Sequence, residues 1–197
     1  MAGCEKLCPE AEKDILYDTI PIYDTIPVYD TIPFYDTIIP PVELHLGDYY
    51  KGGIIFYLDE TEQHGLIAAE TDLVYSFQDK FDWGSTTQLI GADSEDDGRN
   101  NTEIMMQYSS GTSAGAPFKN LVIKGYSDWY IPAKNQLILL KTNANYLQGW
   151  HTNSDEAKYW SSTELSLDKA YALNMVALMG TTVTKHYAYR IRPIREF

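Results

Sequence analysis

Between Tyr17 and Pro40 apolar and polar positions recur every six residues: Tyr-Asp-Thr-Ile-Pro-Ile, the same with Val and then Phe in last place, and finally Tyr35-Asp36-Thr37-Ile38-Ile39-Pro40. Proline at this interval removes backbone donors regularly and excludes a continuous helix, so the pattern predicts an extended segment, strand-like or polyproline-like. An even repeat also keeps its faces in a strand, where side chains alternate. Tyr17, Tyr23, Tyr29 and Tyr35 then share one face with Thr and Pro. Ile20, Ile26 and Ile32 share the other with Ile22, Val28, Phe34 and the aspartates Asp18, Asp24, Asp30 and Asp36. A hexad cannot build a core, and a stripe of Ile, Val and Phe left in water needs a partner. The expected organisation is a leader over residues 1–16, a hexapeptide-repeat stalk over 17–46 and a globular head over 47–197.

Self-association is the simplest partner for the stripe. Three stalks wound about an axis with Ile20, Ile26 and Ile32 inward would resemble the shafts of bacteriophage tail fibres, roughly 80 Å long at about 3.3 Å per residue. The four aspartates fall on that same face, and buried carboxylates are costly unless twist carries them outward. The competing reading lays the arm in a groove of another protein, one hexad per site. A solvated linker is the third.

Past His45 the texture changes. Ile54 to Leu58 reads as a strand rich in β-branched and aromatic residues, Gly65 to Ala69 as its partner, and Asp59 to His64 as the turn between them. A polar stretch from Trp83 to Arg99 follows. Asn101 is placed to cap a helix beginning at Thr102. Pro132 and the spacing of Leu137, Leu140, Ala144 and Leu147 predict a second helix over about Ala133 to Tyr146. Strands are then expected over Lys158 to Thr163, Ala170 to Leu178, Thr182 to Lys185 and Ala188 to Pro193. Strands flanking two helices make the class α+β.

The formal charge of −13 opposes a surface that neutralises phosphates, so nucleic acid is not an expected partner. No apolar run reaches the roughly 18 residues of a membrane span, and the first residues lack the apolar stretch of a signal peptide, so a soluble chain is expected. The two cysteines, Cys4 and Cys8, both fall in the leader. The head is therefore expected to need neither disulfides nor thiolate metal sites. Ala2-Gly3-Cys4 is similar to the end of a lipoprotein processing site, which keeps a lipid anchor at Cys4 as an alternative.

Five segments stand in the order seen in the DUF1566 family: Tyr50-Lys51-Gly52-Gly53-Ile54-Ile55-Phe56-Tyr57, His64-Gly65-Leu66-Ile67-Ala68-Ala69, Gly125-Tyr126-Ser127-Asp128-Trp129-Tyr130-Ile131-Pro132, Tyr159-Trp160-Ser161-Ser162-Thr163 and Arg190-Ile191-Arg192-Pro193-Ile194-Arg195. The head thus resembles that family from Tyr50 to Phe197. The family is related to the Fibrobacter paralogous domain and to the C-terminal domain of the Legionella collagen-like adhesin. The resemblance implies a C-type-lectin-like head, with Trp129 and Trp160 in its core. It does not name a ligand, because members that share the motifs bind different things.

No Gly-x-Ser-x-Gly elbow, phosphate loop or His-Glu-x-x-His occurs, so an enzyme is not expected. Asp93, Glu95, Asp96 and Asp97, with Asn100 and Asn101, supply the oxygens calcium prefers, against the simpler reading of a solvated acidic loop. Trp150, with His151 and Asn153 in a polar loop, has the chemistry to stack on a sugar or anchor a protein contact. Lys185, His186 and Tyr187 are expected to form a second exposed cluster, with Tyr171 beside it. The function expected is recognition. A stalk anchors or multimerises, as a homotrimer or within a larger virion or appendage assembly, and the head binds a surface glycan or protein receptor. The expected setting is a phage tail fibre or injection-particle appendage. The alternatives are a bacterial surface lipoprotein held through Cys4 and a structural decoration subunit without a ligand.

Overall fold

The computed structural model describes residues 43–151, 153–177 and 179–197. The hexad stalk and both cysteines lie outside these residues. What is described is a mixed α+β head of two α-helices and antiparallel sheets. A four-stranded sheet has the order β1 (Tyr49–Tyr50), β2 (Gly53–Leu58), β3 (Gly65–Ala68) and β9 (Ile194–Glu196). A two-stranded ribbon joins β4 (Phe81–Asp82) to β8 (Ala188–Tyr189), and a three-stranded sheet runs β5 (Lys158–Glu164), β6 (Lys169–Asn174) and β7 (Gly180–Thr184).

The central strands are buried on both faces. On β2, Ile55 faces a cluster that includes Ile67, Phe81, Trp83, Trp129 and Trp160, while Phe56 faces another with Tyr130, Leu137, Leu140 and Tyr159. Strand β5 repeats the arrangement, Trp160 on one side and Tyr159 on the other. Successive side chains point to opposite faces of a strand, so two adjacent large residues commit it to a position between two cores. The indoles keep their donors satisfied: Trp83 Nε1 donates to the Ser161 carbonyl at 2.8 Å, Trp160 Nε1 to Phe81 at 2.9 Å and Trp129 Nε1 to Ile123 at 3.2 Å. Trp129 and Trp160 are core, as expected. Trp83 is fully buried as well, although the sequence around it reads as polar.

The first helix, α1 (Gly98–Tyr108), starts before the expected point. Asp97, not Asn101, caps it, accepting from the Asn100 N–H. Asn101 lies inside the helix, buried, and its amide donates to the Ser94 carbonyl and to Ser162 Oγ. The buried positions Gly98, Asn101, Thr102 and Met105 follow helical spacing, so the face turned inward is partly polar. The second helix, α2 (Lys134–Thr142), ends earlier than expected, and Ala144–Tyr146 continues as a 3-10 turn. Gln136 Oε1 accepts from the N–H groups of both Ala133 and Gly98, tying the starts of the two helices together.

The last residues differ most from the expectation. Ala188 to Pro193 is not one strand. It divides into β8 and an irregular link to β9, which pairs with β3 through Leu66↔Glu196, Ile67↔Arg195 and Ala68↔Ile194. Pro193 has no N–H to give a ladder and sits in that link, while its carbonyl accepts from Ala69.

Candidate recognition groove

Four basic side chains of the C-terminal run hold the head together. Arg190 bonds Asp79 at 2.7 Å and Glu156 at 3.0 Å. Arg192 is fully buried, bonds Asp72 at 2.7 Å and donates to the carbonyls of Ala69, Glu70, Gln148 and Gly149. Arg195 grips Asp128 through both carboxylate oxygens, at 2.7 and 2.8 Å, and lies 4.1 Å from the Tyr126 ring centroid. Arginine suits each place, because its planar fork satisfies several acceptors at once, and those of Arg192 and Arg195 also stack on aromatic rings.

Lys185 is the fourth. Its expected exposure is overturned: the side chain is fully buried, 2.6 Å from Glu164 Oε1, 3.0 Å from the Leu167 carbonyl and 4.7 Å from the Trp83 ring centroid. The second Glu164 oxygen accepts from the N–H groups of Ile90 and Gly91. The pair is thereby hydrogen-bonded on every side, the condition under which charges tolerate burial.

The aromatics between these cations face outward. His186 stacks on Tyr187 with centroids 4.6 Å apart, and Tyr187 lies nearly parallel to Tyr189, 6.2 Å away at 8°. Tyr189 leans on buried Trp160 at 4.7 Å and carries the Lys158 ammonium 5.9 Å from its centroid. Tyr187 and Tyr189 form one wall of a groove of about 490 Å³, whose floor and far side include Ala172, Met179, Thr181 and Val183. Strand register explains the lining. Trp160 pairs with Ala172, and Ala172 with Thr181, so these residues and Val183 share one face of the β5–β6–β7 sheet. Burial, and then the neighbouring Tyr187, push the Tyr189 phenol above its ordinary pKa, so it remains a hydrogen-bond donor.

The other expected site residues lie elsewhere. Tyr171 is not beside the cluster; it pairs with Thr182 on the opposite face, below the Lys134 ammonium at 5.6 Å. Its pKa is raised by burial, which outweighs the nearby Lys134 charge. Trp150 does not line the groove either. It stacks 4.0 Å from the Arg192 guanidinium, meets Tyr159 edge-on at 5.3 Å and donates to the Ala144 carbonyl. His151 lies 3.6 Å from Asp72, which also accepts from Tyr159 and Arg192, so this loop is drawn into the arginine network. Asn153 shapes its own turn by accepting from the Asp155 N–H.

The acidic run is likewise committed. Glu95 pairs with Lys134 at 2.7 Å, Asp96 accepts from Asn135 and Asp97 caps α1. Among the described residues no three His, Cys, Asp or Glu side chains converge on a point fit for a metal ion. Of the four carboxylates in the calcium reading, Asp93, Glu95, Asp96 and Asp97, the last three thus turn to separate partners.

Lys158, Met179 and Tyr189 were missed by sequence reasoning. A signal existed for Tyr189: in Tyr187-Ala188-Tyr189 the alternation places both rings on one side of a strand.

No protein-family model matches the chain, and no curated protein matches it. Among solved structures it is similar to a fimbrial protein from Bacteroides ovatus ATCC 8483, with a TM-score of 0.51 and 14% identity over 77% of this chain. The match spans 48% of that protein's length, about half. At that identity the likeness is one of fold. Among the described residues no helix is long and apolar enough to cross a membrane.

Proposed function

We propose that this is a non-enzymatic recognition protein of a surface appendage, whose head holds a surface glycan or protein receptor in the Tyr187–Tyr189 groove. The observation that carries the reading is the groove itself. Two nearly parallel phenol rings, an ammonium over one of them and apolar residues beside them offer a ligand aromatic surface and phenol hydroxyls together. Such surfaces bind the apolar faces of sugar rings and the aromatic anchors of protein partners. Among the described residues that line it, no nucleophile, base and orienting group come together, which accords with binding.

The head belongs, in this reading, with DUF1566-type domains of C-type-lectin-like fold. The hexad stalk anchors or multimerises it, so that several weak contacts become firm attachment. Likeness in fold to a fimbrial protein supports a bacterial surface appendage as the setting. A phage tail fibre or injection-particle appendage, built as a homotrimer through the stalk, accords with the repeat.

Attachment of the labelled full chain to host cells and to an immobilised glycan panel tests this. Tyr187→Ala and Tyr189→Ala should each weaken attachment about tenfold or more, while Trp150→Ala should act mainly through stability. Attachment unchanged in both tyrosine variants would leave a decoration subunit without a ligand.

A further inference from the structure

Strand β7 is an open edge. It pairs with β6 on one side, through Lys169↔Thr184 to Leu173↔Gly180, and no strand among the described residues pairs with it on the other. Its residues Gly180 to Thr182 are exposed. The sequence Gly-Thr-Thr-Val-Thr carries no charge, no proline and no bulge, the devices that ordinarily blunt an edge.

The direction of its unpaired groups follows from the ladder. Asn174 N–H donates to Met179 and Lys185 N–H to Asp168, so the bonded pairs in this register are 174 with 179, 172 with 181, 170 with 183 and 168 with 185. Gly180, Thr182 and Thr184 therefore occupy the alternate positions, and their N–H groups point away from β6. Among the described residues no backbone or side-chain group bonds the N–H or carbonyl of Thr182, while the Thr184 carbonyl accepts from Tyr187.

The same chain carries a sequence whose length and backbone donors suit this edge. Between Pro21 and Pro27, Ile22-Tyr23-Asp24-Thr25-Ile26 offers five consecutive residues with backbone N–H groups, and Val28 to Ile32 repeats the offer; β7 is 5 residues long. Proline at each end stops the ladder where β7 stops. Strand alternation would give this segment one face of Ile22, Asp24 and Ile26 and another of Tyr23 and Thr25; with the first on the groove face, both isoleucines would lie beside Thr181 and Val183, and Asp24 between them at the solvent-facing edge.

We infer that a hexad of one copy adds to the outer edge of β7 of another copy, as a fourth strand of the β5–β6–β7 sheet. A second copy is the occupant because each chain brings four hexads and, among the described residues, one such edge on this sheet. One arm thus has hexads to spare for neighbouring heads, linking them by main-chain bonds. The inference rests on reading the repeat as an assembly element and names what that element grips.

Sedimentation velocity of the full chain, with hydrogen exchange read at Thr182 and Thr184, tests it. The expected result is association that rises with concentration, accompanied by exchange at Thr182 slowed about tenfold or more. Thr182→Pro removes the outward donor and leaves the β6 ladder untouched, so it should weaken association about tenfold at an unchanged melting temperature. A monomer with fast exchange at Thr182 overturns the inference. So does a monomer with slow exchange, which would place the chain's own arm on the edge, or a folded Thr182→Pro that assembles like the wild type, which would leave the hexads pairing with one another. If Thr182→Pro does not fold, wild-type exchange decides. Cell attachment of the same variants keeps the two readings apart: attachment lost in Tyr187→Ala but kept in a dissociated Thr182→Pro means that the groove and the edge act separately.

Discussion

Two sets of side chains share the short run from Lys185 to Arg195 and have opposite fates. Lys185 and Arg192 are the most deeply buried cations of the head, with Arg190 and Arg195 nearly so, while His186 and Tyr187 between them stand exposed. By hydropathy alone the cations should be outside and the rings inside. The difference teaches that burial here follows available partners. Each cation finds a carboxylate and at least one carbonyl held in place elsewhere in the chain, mostly in loops, as Arg192 finds Asp72 and four carbonyl oxygens. The rings meet no such requirement and remain free to face a ligand.

The strongest way to break this contrast is at the buried pair. Lys185→Met should lower the unfolding free energy by about 3–5 kcal/mol, because Glu164 is left buried without its counter-charge. Adding Glu164→Gln should return much of that loss, since the N–H groups of Ile90 and Gly91 keep a carbonyl acceptor. Urea denaturation of the single and double variants checks both. A loss under about 1 kcal/mol for Lys185→Met would place the pair among ordinary surface bridges.

A smaller effect is expected at Arg195→Lys, which keeps the charge and loses the two-pronged grip on Asp128. About 1.5–3 kcal/mol is expected from the same measurement.

Acid sharpens the comparison next. The Arg190 bond holds the Asp79 carboxyl below its ordinary value, and bonds from Lys80 and Arg190 do the same for Glu156. At Asp128 burial pushes upward, but the Arg195 bond and charge outweigh it, and the net shift is downward. Depressed folded-state values mean stability that is complete above the ordinary carboxylate range and lost as pH falls through the lower, folded values. The melting temperature should hold flat from pH 7 to about 5 and fall progressively below about 4. Two of the three carboxylates are half exposed, so the loss should be gradual and should diminish in high salt.

The smallest effect on stability belongs to the groove. Tyr187→Ala should shift the unfolding free energy by no more than about 0.5 kcal/mol. Attachment, in contrast, should fall sharply. A large stability loss would move Tyr187 to the structural side of the comparison.

How much was legible varies along the chain for identifiable reasons. The hairpin from Ile54 to Ala69 was readable because a dense run of β-branched and aromatic residues, a polar turn and a second apolar run are local signals. The helix near Leu137 and Leu140 was readable for the same reason, although its end was not: Asn143 leaves helical geometry at φ −102° and ψ 17°. Asn101 was misread as a cap because its buried amide bonds Ser162, a partner 61 residues away that no local pattern discloses. The groove was half legible. Tyr187 of the expected cluster lines it, as does Tyr189, which the local pattern left out; His186 stacks on Tyr187 outside the lining, and Lys185 and Tyr171 lie elsewhere.

Residue types a few positions apart encode the α+β character and the first hairpin, and motif resemblance was enough to put Trp129 and Trp160 in the core. Only the tertiary structure decided that the last strand returns to β3, that the basic residues of the C-terminal run go inward and that Tyr189 joins Tyr187 across Met179 and Val183. Those outcomes depend on pairings between residues far apart in the chain. Their energies, from buried charge pairs and strand register, exist only once the partners have been brought together.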